Sequence, residues 1–332
     1  MPAYPGPVTT QVPDSGAPTR TEGTPAADGR APGVVRRIYV ANLVAQIGIC
    51  VTGAVVRLTS SGLGCPTWPR CSGDSITPVD GQAEAWHKYV EFGNRLLTVV
   101  LIALAVAALA AALWDASRRR TASLPARPAL TWLAAVPLIG TVVQIPLGGI
   151  TVLTGPNPLA VGSHMLLSLA LVALATVLVH RSGERGDEPV VVVVRREVRA
   201  GVVALTALTG VVLLVGLVVT ASGPHAGDAR THRLGLDPQT VAWIHADVVV
   251  LCIGLLAGLL VALRVSAAPE RTTRAATHLL MAFLAQGLVG YVQFFAAEPW
   301  MLVTVHVLLA AVIWWATVSL LLTTRTRGVV PA

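Results

Sequence analysis

Three histidines, His164, His245 and His306, each stand about two turns inside one end of a long apolar run. An ionisable group within a bilayer costs about 2.5–3.5 kcal/mol on insertion scales, so those that remain are candidates for function. Imidazoles at matching depth on neighbouring helices can face each other and hold a haem iron between them. A buried histidine can also do no more than bridge two helices through a hydrogen bond, but three at one depth favour the haem reading. The second run carries His87, Glu91, Asn94 and Arg95. The first three fall on one helical face. Depth points to position 94 for a fourth ligand, where asparagine stands. His87 lies about 10 Å of helix nearer the run's end. It ligates only if the haem sits higher or the helix is displaced. Glu91 either pairs with Arg95 or Lys88 alone, or moves a proton or stabilises a cation beside a bound substrate.

Of the four cysteines, Cys65 and Cys71 share one loop with Pro66, Thr67, Trp68, Pro69 and Arg70 between them. A disulfide can close it in an oxidising compartment. Nearby residues do not supply the further ligands of a tetrahedral metal site. Cys50 and Cys252 fall inside apolar runs and are expected to pack. His225, beside Pro224, is a weak candidate for a surface or quinone site, and His180, His232 and His278 are expected at interfaces with solvent.

Positioning these groups falls to membrane-spanning elements. Apolar residues make up 54% of the chain and charged ones 12%, about half the charge of a globular average. That excludes a soluble enzyme, a disordered chain and a small secreted disulfide module. Eight apolar runs, at about 36–58, 86–114, 129–153, 158–180, 199–221, 238–264, 275–296 and 299–323, match the roughly 20 residues a helix needs to cross a bilayer. Backbone groups in lipid must pair internally, so each run is read as a helix rather than a barrel strand. Residues 1–33, rich in Pro, Gly, Ala and Thr, read as a disordered tail. No apolar stretch precedes residue 38, so no signal peptide is expected.

The charges give an orientation. Arg20, Arg30, Arg36 and Arg37 precede the first run, and Arg118, Arg119, Arg120 and Arg127 follow the second. Arg181, Arg185, Arg195, Arg196 and Arg199 lie between the fourth and fifth runs. Arg264, Arg271 and Arg274 follow the sixth, and Arg325 and Arg327 the last. Eighteen of the 24 basic residues thus fall on one side. The positive-inside rule makes that side cytoplasmic, with both termini inside. The same distribution argues against nucleic acid, which would want the charge on one face of a folded domain.

The chain also repeats. Gln144, Gly148 and His164 recur at the same spacings as Gln286, Gly290 and His306, and Gly53-Ala54-Val55-Val56 resembles Gly216-Leu217-Val218-Val219. The expected architecture is all-α: two repeat-related four-helix bundles. Residues 34–180 form the first and 199–325 the second, with a cytoplasmic linker over 181–198 and a C-terminal tail over 326–332.

These segments together resemble the haem A synthase family, membrane enzymes that convert haem O to haem A for cytochrome oxidase. The resemblance runs through Gly53-Ala54-Val55-Val56-Arg57-Leu58-Thr59, Ser61-Gly62-Leu63-Gly64-Cys65-Pro66, Trp68-Pro69 and Cys71. It continues in Glu91-Phe92-Gly93-Asn94-Arg95, Gln144, Gly148 to Val152, the three helix-borne histidines, and Gly223-Pro224-His225-Ala226-Gly227-Asp228. It implies a haem b between His245 and His306 and a substrate haem O in the first bundle, with His164 as a ligand. The family pattern puts a histidine where Asn94 stands, so either His87 substitutes or one axial position is left weakly occupied. The resemblance further implies oxidation of a haem methyl, through an alcohol and a hydrated aldehyde, to a formyl group. Glu91 is then the catalytic carboxylate, Arg57 and Arg95 partners for haem propionates, and Cys65 with Cys71 the family's disulfide. Implied partners are haem O synthase as supplier, a quinone or other electron acceptor, and the lipid of the cell membrane. A homo-oligomer is left open. Two other classes fit parts of the pattern: a di-haem b-type electron-transfer protein passing electrons from quinol, and a repeat-built transporter.

Overall fold

The computed structural model describes residues 30–225 and 231–327. Of the expected tails over 1–33 and 326–332, residues 1–29 and 328–332, with Ala226, Gly227 and Asp228 of the loop that follows Ser222, lie outside the described residues. Eight helices, each long and apolar enough to cross a membrane, account for most of the described residues. They are α1 (Gly33–Leu58), α2 (His87–Thr121), α3 (Pro128–Leu153), α4 (Pro158–Ser182), α5 (Arg196–Ser222), α6 (Pro238–Val265), α7 (Glu270–Phe295) and α8 (Trp300–Thr323). Each expected run falls in one of them.

Local chemistry sets the ends. Helices α3, α4 and α6 start on a proline, whose missing N–H would be unpaired there anyway. Asn157 caps α4 by accepting from the Leu159 N–H at 2.9 Å, and Asp237 caps α6 by accepting from the Thr240 N–H at 2.8 Å. Helix α2 runs seven residues beyond the apolar stretch that ends near 114, to Thr121. Asp115 there pairs with Arg118 at 3.0 Å and Arg119 at 2.8 Å, the three- and four-residue spacings at which charges meet along a helix.

Helices α1 to α4 pack in a closed ring, each against its chain neighbours and α1 against α4, and α5 to α8 repeat that ring. Helix α8 also packs on α1 and α4 and joins the two halves. Across this seam the Trp314 indole donates to the Leu169 carbonyl at 2.9 Å. The second core is built of large side chains, among them Leu205, Leu256, Leu260, Leu263, Leu279 and Phe283. Around Tyr39 the first core is largely alanine: Ala108, Ala111, Ala112 and Ala134.

One element was not anticipated. Val190–Val192 (β1), inside the segment read as a linker, pairs antiparallel with Arg325–Arg327 (β2). Strands of three residues are too short to carry an alternating signal. The same arginine-rich end holds Arg181 on Glu184 and Asp187, and Arg327 on Glu184 at 3.3 Å. Arg127, at the N-cap of α3, donates to the Arg181 carbonyl. Burial, then the nearby Arg119 and Arg181 charges, lower its pKa.

Candidate functional site

In the second half all four helices converge on two imidazoles. His245 lies seven residues into α6 and His306 six residues into α8. Their ring centres stand 6.4 Å apart, with the planes tilted by 55°. Each ring rests on a glycine of the preceding helix. A Cβ on Gly216 of α5 would stand 3.2 Å from His245 Cε1, and one on Gly290 of α7 would stand 3.4 Å from His306 Cε1. Gln286 of α7 donates to the His306 carbonyl at 2.9 Å, which fixes the turn that carries the ring.

Both rings bury an Nδ1 that has no hydrogen-bond partner. The Val212 carbonyl lies beside His245 without reaching bonding geometry. Unpaired polar groups are costly in an apolar bundle. Two imidazoles sharing one metal through bonds of about 2.0–2.1 Å, the length seen for zinc, hold their ring centres roughly 6 Å apart. The observed spacing and the glycine seats therefore fit an axially ligated haem. Among the described residues no group of three or more His, Cys, Asp or Glu could hold a metal ion.

The first half repeats one side of this arrangement. His164 lies six residues into α4, its Cε1 3.4 Å from where a Cβ on Gly148 of α3 would stand. Gln144 donates to the His164 carbonyl at 3.0 Å, as Gln286 does to that of His306. The His164 Nδ1 is likewise buried and unpartnered. Opposite it the repeat breaks. Asn94 stands seven residues into α2, the depth of His245 in α6, and accepts from the Thr52 hydroxyl at 2.8 Å. A Cβ on Gly53, the counterpart of Gly216, would meet nothing within 4 Å. His87 opens α2 and faces the α1–α2 loop, with Nδ1 2.9 Å from the Ser61 hydroxyl and its ring stacked on Trp86 at 4.0 Å. Arg57 occupies the last turn of α1, partly exposed.

Glu91 and Arg95 pair, one of the two readings open for Glu91, and both also grip the loop closed by the Cys65–Cys71 disulfide. Glu91 accepts from the Cys65 N–H at 2.7 Å and from Arg95 at 2.5 and 3.1 Å. Arg95 donates further to the carbonyls of Cys65, Thr67 and Arg70. Trp68, at the tip of that loop, lies on α3, where a Cβ on Gly149 would come within 2.5 Å of the indole. The Gly148-Gly149 pair thus seats a histidine with one residue and the loop with the next. In the α5–α6 loop His225 bonds the Glu298 carbonyl at 2.8 Å. His180 is half-buried, whereas His232 and His278 are exposed.

Sequence reasoning passed over a set of buried polar side chains at the other end of the first half. Tyr39, Asn42 and Gln46 on α1 are all but inaccessible, and each has a side-chain atom without a partner. Their spacing, three residues and then four, was a readable sign of a single helix face.

These features define a polytopic, all-helical membrane protein whose imidazoles meet between helices. The model of a family described as cytochrome oxidase assembly protein, COX15-CtaA, matches residues 36–318. The chain belongs to that family. Among curated proteins it is 28% identical over 181 residues to a heme A synthase of Listeria monocytogenes, covering 52% of this chain and 55% of that one. A heme A synthase of Geobacillus thermodenitrificans is 40% identical over 65 residues, 19% of each chain. The chain thus spans between about a fifth and about half the length of the curated relatives it matches.

Proposed function

We propose that the protein is a haem A synthase, oxidising a methyl group of haem O to a formyl group, with the two halves as repeats of unequal duty. The observation that carries this is the contrast between a complete imidazole pair in the second half and a single imidazole, His164, in the first. A complete pair suits a resident haem b, which when bound supplies a reversible one-electron store. His245 and His306 hold and orient it, and Gly216 and Gly290 leave room for their rings. A site with one imidazole suits a substrate that must enter and leave. His164 binds it, and Asn94, held by Thr52, keeps the opposite side polar. The engagement of His87 with Ser61 supports leaving that axial position without a second imidazole.

Glu91 is the carboxylate we assign to catalysis. Its charge lies in a low-dielectric site, where it stabilises positive charge that develops on the substrate as water attacks. Arg95 and the Cys65 N–H hold it in place. Arg57, at the outer end of α1, is the freer candidate for a propionate, because the donors of Arg95 are engaged by Glu91 and the loop. Electrons leave to a quinone or another acceptor. Haem O arrives from its synthase. The excess of arginine at one end supports a cell-membrane orientation with both termini cytoplasmic.

The test is chemical. Haem extracted from cells that supply haem O should gain a formyl group when this protein is present, which a protein that only transfers electrons would not produce. Glu91→Gln should abolish formyl product while the haem b spectrum persists. Full activity in that variant removes Glu91 from the mechanism.

A further inference from the structure

The face of α1 that carries Tyr39, Asn42 and Gln46 continues to Cys50 one turn later. Tyr39 and Asn42 are fully buried and Gln46 is 1% exposed. The Tyr39 hydroxyl, both polar atoms of the Asn42 amide and the Gln46 Nε2 have no hydrogen-bond partner. Polar side chains that only glue membrane helices together bond across the interface, and Asn42 makes no such bond. The file has polar ends. Tyr39 lies within electrostatic range of Asp115 and Arg127 at the arginine-rich end. At the other end Cys50 lies against Ser168, which accepts from Gln144 at 2.6 Å and donates to the His164 carbonyl at 3.0 Å.

From Tyr39 to Cys50 the helix rises about 16 Å, roughly half the hydrocarbon thickness. Steps of three or four residues, about 4.5–6 Å, are spans that single waters bridge. Buried waters typically make 2–4 hydrogen bonds to otherwise unpaired groups, and the alanine-rich core around Tyr39 leaves small side chains facing them. The second half lacks the file. At the positions matched by the Gly53 and Gly216 segments stand Val202, Leu205 and Thr209, and the Thr209 hydroxyl bonds its own helix at the Leu205 carbonyl. Ala310 stands where Ser168 does.

We propose that this face of α1 holds a file of ordered water that carries protons between the His164 site and the arginine-rich end of the first half. Its use rests on the function proposed above. Turning a methyl into a formyl group with water as oxygen donor breaks two C–H bonds and both O–H bonds of the water and forms a C=O bond. Four protons and four electrons are released. The quinone-class acceptor takes the electrons, and the protons need a way out of an apolar bundle.

The file itself is tested without turnover. Cys65 and Cys71 are joined, so Cys50 and Cys252 carry the two free thiols, one in each half. Infrared S–H bands of the purified, haem-loaded full chain, assigned with Cys50→Ala and Cys252→Ala, are followed after transfer to D2O. Cys50 should exchange faster than Cys252 by on the order of tenfold or more, as a group reached by water without local unfolding. Asn42→Leu and Gln46→Leu should each slow Cys50 to the rate of Cys252. Where either leucine variant speeds Cys252 and so loosens the bundle, Gln46→Thr, the residue of the second half, gives the same readout. Equal rates for the two thiols in the unaltered protein, or rapid Cys50 exchange in the substituted proteins, overturns the proposal. These outcomes do not depend on whether a formyl product forms, so a failed file and a failed synthase assignment are told apart. In active protein, Gln46→Leu should slow formyl formation while the haem spectra stay unchanged.

Discussion

The two halves share helix packing, one glycine seat and the glutamine that braces a histidine turn, yet they differ at most polar positions. The second half has paired imidazoles above a core of leucine and phenylalanine. The first has one imidazole, an asparagine opposite, a disulfide loop clamped by Glu91 and Arg95, and unpaired polar groups along α1. On the function proposed above, that difference assigns the two sites different duties. A tightly packed pair suits a group that never leaves, whereas a looser, polar site suits one that is changed and released.

The largest effect expected from that contrast is on haem content. His306→Ala should remove the haem of the second half and its bis-imidazole spectrum, whereas His164→Ala should spare both. Haem-to-protein ratios and absorbance read this directly. Equal losses from the two variants would erase the distinction between the halves. Asn94→His should next make the first half resemble the second, because Gly53 leaves room for a ring. A second low-spin signal should appear, with product formation slowed through tighter holding of the substrate; unchanged spectra would show that position 94 does not face the haem.

A smaller effect is structural. Gly149→Leu drives a side chain into the Trp68 indole, and overpacking of this kind costs about 1–3 kcal/mol. Thermal unfolding should report that loss, while the second half, with Tyr291 at the matching position, keeps its haem. The smallest effect concerns helix starts. Asp237 caps α6, whereas Trp86 begins α2 without a side-chain cap. Hydrogen bonds from Thr240 hold the Asp237 carboxyl below its ordinary pKa. Its contribution is therefore complete above the usual value of about 3.9 and fades as pH falls through the lower folded value. Melting temperatures of Asp237→Ala and the unaltered protein should differ slightly near neutrality and converge in acid.

The spans were legible because an apolar run of bilayer length has few alternatives, and the histidines because they interrupt such runs. The spacing of Glu91 and Arg95 offered their pairing as one of two readings. Their shared grip on the Cys65 loop was not readable, since it joins segments some 25 residues apart through backbone groups that any sequence offers. The seat of Trp68 on Gly149 is likewise a long-range contact without a local signature. Tyr39, Asn42 and Gln46 were hidden by averaging: three polar side chains barely lower the hydropathy of a 26-residue helix. Only burial reveals that they face inward. The β1–β2 pair was missed because its residues are few and one strand lies beyond the last apolar run.

That pair has a consequence for a chain cut between its halves. Strand β1 leaves the first half, and its hydrogen-bonding partner β2 belongs to the second. A protease nick just after Val192 leaves the first fragment with an arm still knitted to the other piece. A nick before Val190 removes that strand pairing and leaves the fragments to rely on the α8 seam and the contacts of Arg327 with Glu184 and Glu188. Detergent extraction should separate the second kind of cut chain more readily than the first.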